Sequence, residues 1–378
     1  MITRTKSLAG VALLASAAFV LTACAATDEA AMDGTNTAGA EANSSLSGTL
    51  VGAGASSQGS AQEAWVAGFQ TANPDVTVTY DPIGSGGGRE TFQSGASSFA
   101  GSDRAFKVDE ITEGPFGSCV EEAGIWEIPA YISPIAIIFN LEGISTLNLD
   151  ADTLAQIFTG EITNWNDAAI ASQNAGVDLP DLSITAVHRS DESGTTANFT
   201  DYMSKASTDF WLLAGENAGS FEAWPAEWGG EGAPQTSGVV DAVTNGTGTI
   251  GYADASRAGS LGTVSVKVGS EYVPYSAEAA AKIVDASPAA NPGERGDNDL
   301  AIELDRATEA SGTYPIVLVS YLIGCNDYAD DSVVDLVKGY VSYVVSEEGQ
   351  LAAQANAGNA PISADSRAKA EAILASIK

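Results

Sequence analysis

The fold class is decided by one stretch of the sequence, residues 48–88, which reads GTLVGAGASSQGSAQEAWVAGFQTANPDVTVTYDPIGSGGG. Its start, 48–54, predicts a strand that enters a turn. Apolar residues then recur every fourth position, which predicts a helix over 57–73. The β-branched and aromatic run 76–80 predicts a second strand, followed by a glycine-rich loop at 84–88. This order of strand, helix and strand indicates an α/β architecture.

Two long apolar runs, 126–140 and 315–323, interrupt the alternation that follows, and we interpret them as strands that cross between two lobes. We therefore expect two domains with a ligand cleft between them. Residues 48–129 and 317–378 would form domain 1, and 130–316 would form domain 2. The other predicted elements are strands at 99–103, 183–188, 249–252 and 264–268 and helices at 151–158, 195–205, 332–357 and 364–377.

The composition is that of a globular but very acidic protein. The chain has 378 residues, 44% of them hydrophobic, which is enough to build the cores of two domains. It carries 16 Lys and Arg against 49 Asp and Glu, a net charge of −33. Such a surface repels nucleic acid, so we expect no nucleic-acid partner. An anion site on this chain must therefore act through short-range hydrogen bonds and local dipoles.

The N-terminus has the pattern of a targeting segment. Arg4 and Lys6 precede an apolar stretch, 8–21, that is short for a membrane-spanning helix. The stretch ends in Leu21-Thr22-Ala23-Cys24, which resembles the bacterial lipobox. We expect residues 1–23 to be a lipoprotein signal peptide; an uncleaved anchor with an incidental cysteine is the alternative.

The mature chain would then begin at Cys24, with acyl chains such as palmitate attached to that residue. Residues 24–47, rich in Ala, Thr, Ser, Asn and Gly, are expected to be a flexible acidic tether. The protein would sit on the outer face of the cell membrane through its lipid anchor. Of the other cysteines, Cys119 and Cys325 could form a disulfide outside the cell, and two buried thiols are the alternative.

Three loops share one pattern, in which a strand is followed by Gly, Ser or Asp and then by a helix. They are 52–57, 84–88 and 189–195. Glycines let backbone N–H groups converge on a ligand, and helix N-termini favour negative charge, so the loops together suit a small oxyanion. Taken singly, Ser56 and Thr195 read as ordinary helix caps. The first loop also approaches a dinucleotide fingerprint, but a serine stands where its third glycine belongs.

Two charged residues, Arg189 and Asp103, make the predicted oxyanion site more specific. Arg189 directly precedes a Ser/Gly/Thr helix start, and arginine binds tetrahedral oxyanions bidentately. Asp191 could hold its guanidinium; a surface Arg–Asp pair is the alternative. Asp103 would repel an anion unless that anion carries a proton to donate, as phosphate does near neutral pH and sulfate does not. A loop-capping aspartate is the alternative there.

Together these motifs resemble the periplasmic phosphate-binding proteins of phosphate-specific ABC transport. The resemblance runs in order over residues 48–325. It implies a two-lobed, type II solute-binding fold that buries inorganic phosphate in its cleft and delivers it to the permease subunits of an ABC importer. The matching motifs are GAGAS at 52–56, IGSGGG at 83–88, GSD at 101–103, IFTGEITNW at 157–165, RSDESGT at 189–195 and TIGYAD at 249–254.

The resemblance also assigns the ligand residues. Asp191 would hold the guanidinium of Arg189 without contacting the phosphate itself. The chain departs from many relatives at Ser57-Gln58, where they have an aromatic residue and proline, and at Arg104, where they have a neutral residue. Arg104 would either neutralise Asp103 or contact the rim of the cleft. The phosphate-binding residues carried over are Ser56, Ser57, Ser85, Asp103, Arg189, Ser193, Gly194 and Thr195.

The sequence also has alternative functional interpretations. A binding protein for another oxyanion, such as arsenate, and a phosphatase-like hydrolase are the alternatives, and a surface adhesin is a third class. His188 is the single histidine, so a two-histidine zinc motif is impossible, and the acidic residues are scattered. We expect a monomer that is not an enzyme and has no cofactor and no metal.

Overall fold

The structure, a computed structural model, describes residues 46–210 and 219–378. The predicted signal peptide, Cys24 and nearly all of the tether lie outside these ranges. The strands are β1 Gly48–Gly54, β2 Val76–Asp81, β3 Phe99–Ser102, β4 Ile125–Phe139, β5 Thr146–Leu149, β6 Thr185–Arg189, β7 Glu231–Ala233, β8 Thr249–Asp254, β9 Gly262–Val268, β10 Glu271–Val273 and β11 Val317–Cys325. The helices are α1 Gly59–Ala72, α2 Ser85–Gln93, α3 Val108–Glu113, α4 Ala151–Phe158, α5 Ala168–Gln173, α6 Gly194–Ala206, α7 Gln235–Asn245, α8 Ala277–Ala286, α9 Val334–Val345, α10 Glu347–Ala357 and α11 Ala364–Ser376.

The described strands form one curled, mixed sheet that serves both lobes. Its order is β2-β1-β3-β11-β4-β8-β6-β7, and β9 joins β4 to β5 and β10. Strand β1 is parallel to β2 and β3, and β6 is parallel to β7 and β8. The antiparallel pairs of β11 with β3 and β4, and of β4 with β8, link these two parallel groups. The predicted two-lobed α/β architecture is confirmed.

The two long apolar runs are the central strands of this sheet. Strand β4 has 15 residues, and all of them are buried. Its first part pairs with β11, whereas Ile135–Phe139 pairs with β8. One strand therefore runs from the first group of strands into the second, and its two prolines do not interrupt it. Continuous burial on both faces explains why the sequence shows no alternation there.

Two predicted boundaries were wrong for identifiable reasons. The glycine-rich segment 84–88 was predicted as a loop, but α2 begins at Ser85. A Cβ atom on Gly88 would lie 2.3 Å from the Cα atom of Gly54, so the glycines let this helix pack directly against the end of β1. The single helix predicted over 332–357 is two, because Ser346 ends α9 and its hydroxyl caps α10 by accepting from the Gly349 N–H.

The core lies between the sheet and the helices that cover it. Trp65 of α1 is fully buried, and its indole N–H donates to the carbonyl of Gly349 at 2.9 Å. Cys119 and Cys325 are joined as a disulfide with an S–S distance of 2.09 Å. Within residues 46–210 and 219–378, none of the helices has the length and apolarity needed to cross a membrane.

Candidate functional site

The predicted ligand loops converge where the two groups of strands face each other. From the first group come a 3-10 turn after β1, the start of α2 and the loop after β3. From the second come the end of β6 and the first turn of α6. These are strand carboxyl ends and helix N-termini, the usual position of ligand sites in α/β sheets. The eight predicted residues are all buried, namely Ser56, Ser57, Ser85, Asp103, Arg189, Ser193, Gly194 and Thr195.

Asp103 lies at the centre of the convergence and is 3% exposed. Its Oδ1 accepts hydrogen bonds from Ser57 Oγ and from Ser320 Oγ, both at 2.6 Å. Its Oδ2 accepts from Thr195 Oγ1 at 3.0 Å. Burial raises the pKa of Asp103 above its ordinary value, while these three donors and the charge of Arg189 act in the opposite direction. The carboxylate therefore receives donors from both groups of strands.

Arg189 is 2% exposed and forms its ion pair with Asp191. The Nε of Arg189 donates to Asp191 Oδ1 at 2.7 Å, and its Nη2 donates to Oδ2. Burial raises the pKa of Asp191, but the hydrogen bonds and charge of Arg189 outweigh burial and hold that pKa below its usual range. The backbone N–H of Gln235 also donates to Asp191 Oδ1, at 2.9 Å. This pair leaves the other edge of the guanidinium for an anion.

The N-terminus of α6 supplies backbone donors. Ser193 caps the helix, and its Oγ accepts from the Thr196 N–H at 3.2 Å. The N–H groups of Gly194 and Thr195 precede the first intrahelical bond, so they have no partner within the helix. A Cβ atom on Gly194 would lie 2.5 Å from Ser85 Oγ and 2.7 Å from the Asp103 Cβ. Only glycine allows the helix start to approach the opposite loops so closely.

Three predicted ligand hydroxyls have other partners in the structure. The hydroxyls of Ser57 and Thr195 both donate to Asp103, so the donor that Thr195 would have for an anion is its backbone N–H. Ser56 Oγ accepts from the backbone N–H of Thr236 at 3.2 Å and lies 3.1 Å from its hydroxyl. Ser85 Oγ accepts from the Asp103 N–H at 3.1 Å and keeps its own proton to donate. The expected donor set is thus richer in backbone N–H groups than the sequence indicated.

Two members of the site, Ser320 and Gln58, were not predicted from the sequence. Ser320 lies on β11 and donates to Asp103, and Gln58 Nε2 donates to Ser320 Oγ at 2.6 Å. Both side chains are fully buried. A signal existed for each residue, because Ser320 is the one serine in the apolar run 315–323 and Gln58 directly follows the first predicted ligand loop.

Arg104 does not bind the Asp103 carboxylate. Its guanidinium forms two hydrogen bonds with Glu110, at 2.7 and 2.8 Å, and its Nε donates to Glu222 at 2.9 Å. Glu222 also pairs with Arg89, whose Nη1 donates to Ser102 Oγ at 2.7 Å. Arg89 lies on α2 and Arg104 follows β3, whereas Glu222 follows α6, so this ion-pair cluster connects the first group of strands to the second beside the site.

His188 contacts an aromatic ring and a backbone carbonyl. Its ring stacks on Trp224 with centroids 4.9 Å apart, and its Nδ1 lies 2.9 Å from the Arg189 carbonyl oxygen. Partial burial lowers the pKa of His188 below its ordinary value. In the described ranges 46–210 and 219–378, no group of three His, Cys, Asp or Glu side chains is arranged to hold a metal ion.

Comparisons with known proteins agree with this geometry. A family model described as a PBP superfamily domain matches residues 39–348. The phosphate-binding protein PstS 3 of Mycobacterium tuberculosis is 35% identical over 346 residues, covering 89% of this chain and 90% of the relative. PstS 2 of the same organism is 32% identical over 349 residues, covering 90% of each.

Two solved structures have the same fold. One is a high affinity periplasmic phosphate-binding protein (PfluDING) bound with phosphate, with a TM-score of 0.68, 22% identity and coverage of 86% of this chain and 93% of that one. The other is a Clostridium perfringens phosphate ABC transporter substrate-binding protein, with a TM-score of 0.58, 20% identity and coverage of 84% and 100%. The chain therefore belongs to the PBP superfamily and, within it, to the family of the phosphate-binding proteins PstS.

Proposed function

We propose that this protein binds inorganic phosphate outside the cytoplasm and delivers it to the permease subunits of an ABC importer, without catalysing a reaction. Support comes from its family, whose relatives are named phosphate-binding proteins, and from the composition of its cleft. The proposed ligand residues are the eight buried residues of the site, with Asp191 holding Arg189. Backbone N–H groups, serine hydroxyls and one arginine suit a tetrahedral oxyanion.

The observation that carries this proposal is the environment of Asp103. An ionised carboxylate can accept about four hydrogen bonds, and three described side chains already donate to this one. The remaining acceptor position lies on Oδ2, beside the N-terminus of α6. A phosphate that still carries a proton can donate to it. A fully deprotonated anion such as sulfate would instead place its lone pairs against a negative charge, which selects against that anion.

We further propose that the two lobes divide as expected from the sequence, with residues 48–129 and 317–378 in domain 1 and 130–316 in domain 2. Strands β4 and β11 would then be the two crossings. Opening about these strands would separate Asp103 from Thr195 and expose the site. The protein would act as a monomer, since both halves of the site lie on one chain.

We also propose that the protein is a lipoprotein whose residues 1–23 are removed and whose Cys24 carries the lipid. The basis is the lipobox-like sequence that ends at Cys24. Replacing Cys24 with serine should abolish labelling by radioactive palmitate and release the protein from the membrane fraction, or leave the signal uncleaved. Normal palmitate labelling of the Cys24→Ser variant would contradict this assignment.

Binding is tested directly with the purified chain from residue 25 onward, after bound phosphate has been exchanged away. Isothermal titration calorimetry should give one phosphate per chain and no saturable sulfate binding at the same concentrations. Incubation with p-nitrophenyl phosphate should release no nitrophenol. Steady turnover of that ester would favour the hydrolase alternative, and tighter sulfate than phosphate binding would favour another oxyanion.

A further inference from the structure

A chain of buried hydrogen bonds reaches Asp103 from the side away from the cleft. It begins in α9, passes through α1 and the preceding turn, and ends on β11. Every member is at most 3% exposed. The donors run in one direction: Tyr340 Oη to Gln62 Oε1 at 2.6 Å, Gln62 Nε2 to Gln58 Oε1 at 2.8 Å, Gln58 Nε2 to Ser320 Oγ at 2.6 Å, and Ser320 Oγ to Asp103 Oδ1 at 2.6 Å.

The direction is determined by one backbone carbonyl. Gln58 Nε2 also lies 3.1 Å from the carbonyl oxygen of Tyr321, which can only accept a hydrogen bond. The amide nitrogen of Gln58 must therefore face this side, and its second N–H points at Ser320 Oγ. Because Ser320 Oγ already accepts this N–H, its own single proton is directed to Asp103. The Ser320 hydroxyl is thus committed to donate to the carboxylate.

The backbone of β11 is shaped for this arrangement. The pairing register between β11 and β4 shifts between Ser320 and Tyr321. Such an irregularity frees a carbonyl from the ladder and changes the direction of a neighbouring side chain. Here the Tyr321 carbonyl accepts from Gln58, and the Ser320 side chain reaches Asp103. The irregularity lies on a strand shared by both lobes, directly behind the site.

The hydrogen bond that Ser320 donates matters because the role of Asp103 depends on whether its carboxyl group is ionised or neutral. When Asp103 is ionised, its remaining position on Oδ2 accepts a hydrogen bond from a proton of the ligand. When Asp103 is neutral, the same oxygen would donate a hydrogen bond, and a fully deprotonated anion could then bind. Burial favours the neutral form, whereas the donors Ser320, Ser57 and Thr195 and the charge of Arg189 favour the ionised form. Ser320 is one of only a few groups that keep Asp103 an acceptor.

We propose that Ser320, oriented by Gln58, is a positioning residue for anion selectivity: it keeps Asp103 a hydrogen-bond acceptor, so that the cleft binds an oxyanion that carries a proton and rejects one that does not. This inference rests on the proposed phosphate binding. Neither Ser320 nor Gln58 touches the anion in this account. Both act through Asp103.

The test uses the variants Ser320→Ala and Gln58→Met and the double variant, all in the chain from residue 25 onward. Phosphate and sulfate affinities are measured by calorimetry at neutral pH. We expect Ser320→Ala to lower the preference for phosphate over sulfate by roughly tenfold to a hundredfold, the scale of one hydrogen bond to a charged group. Gln58→Met should change the preference in the same direction. The double variant should match Ser320→Ala, since Gln58 acts through Ser320.

A matched control distinguishes selectivity from general loosening of the buried chain. Tyr340→Phe removes the first hydrogen bond but leaves Gln58 facing the Tyr321 carbonyl. Its unfolding free energy should fall while the phosphate-to-sulfate preference stays at the wild-type value. An equal loss of preference in Tyr340→Phe and Ser320→Ala would overturn the proposal.

Proton uptake provides a second readout. If sulfate enters because Asp103 becomes neutral, sulfate binding to Ser320→Ala should take up close to one proton, measured from calorimetric enthalpies in buffers of different ionisation enthalpy. Tighter sulfate binding without proton uptake, or an unchanged preference in both Ser320→Ala and Gln58→Met, would refute the role assigned to them. Absence of phosphate binding in the wild-type protein would instead refute the proposed function.

Discussion

The ion-pair cluster that bridges the cleft leads to a quantitative prediction for Glu222→Gln. Glu222 accepts hydrogen bonds from Arg89 and from Arg104. The side chains of Arg89 and Glu222 are 5% and 12% exposed, so solvent screens their attraction only weakly. Arg89 lies on α2, Arg104 follows β3 and Glu222 follows α6. In the opening motion proposed above, these contacts would exist only in the closed form of the cleft.

The magnitude follows from the partners that remain. Removing one partner of a buried ion pair costs about 3–5 kcal/mol. After the substitution Arg104 keeps Glu110, whereas Arg89 keeps its hydrogen bond to Ser102 and its contact with the Phe106 ring but faces the charge of Arg104. The glutamine still offers one acceptor oxygen, so we expect the lower end, about 3 kcal/mol. That cost falls on the closed form and should weaken phosphate binding roughly a hundredfold.

Calorimetric titration with phosphate measures this effect, and Glu110→Gln is the matched control. Glu110 pairs with the same Arg104, but both residues lie in the segment that follows β3. The pKa of Glu110 is lowered to about 2 because the hydrogen bonds and charge of Arg104 outweigh burial. Glu110→Gln should therefore lower the unfolding free energy above pH 4.5 while leaving phosphate affinity nearly unchanged. Equal affinities for Glu222→Gln and wild type, or equal losses in both variants, would refute the cross-cleft role.

Three further predictions concern the site, the core and the disulfide. Arg189→Lys keeps the charge but loses the planar fork, so phosphate binding measured by calorimetry should weaken by about 1–3 kcal/mol; wild-type affinity would remove Arg189 from the ligand set. Burial raises the pKa of Asp254 to about 6, so folding favours its neutral form. As the pH rises from about 4 to about 6, the wild type should lose about 3 kcal/mol of unfolding free energy relative to Asp254→Asn in urea unfolding; a difference that stays constant with pH would contradict this. Peptide mapping without reductant should recover Cys119 and Cys325 linked, and reduction should cost about 4–5 kcal/mol for so long a loop; two free thiols would contradict the pairing.

Much of the architecture was predictable because it depends on local patterns. Apolar spacing and β-branched runs located β1, α1 and β2, and the long apolar runs indicated the two shared strands. The start of α2 was missed because glycine lowers helix propensity, and only tertiary packing against Gly54 reveals why glycine is needed. The break at Ser346 was missed because apolar residues continue across it, although the serine itself is a helix-capping residue.

The ligand loops were predictable from their residue types, but their hydrogen-bond partners were not. Thr195 was expected to donate to the anion, and it donates to Asp103 instead. Ser320 and Glu222 are distant in sequence from the loops that they support, and no local pattern connects them to Asp103 or Arg89. Partners of this kind depend on how the crossing strands bring distant segments together, and that information is not local.

Anion selectivity is proposed to depend on Asp103 accepting a hydrogen bond from a proton of the bound anion, and competition binding measures this dependence. Phosphate and sulfate are titrated against each other on the wild-type protein and on Asp103→Asn at neutral pH. We expect a preference for phosphate of roughly a thousandfold in the wild type, because an unpaired like-charge contact in a closed cleft costs several kcal/mol. In Asp103→Asn the amide can donate, so sulfate should bind much more tightly while phosphate still binds. An unchanged preference in Asp103→Asn would contradict the account, and selectivity would then have to arise from the size of the cavity.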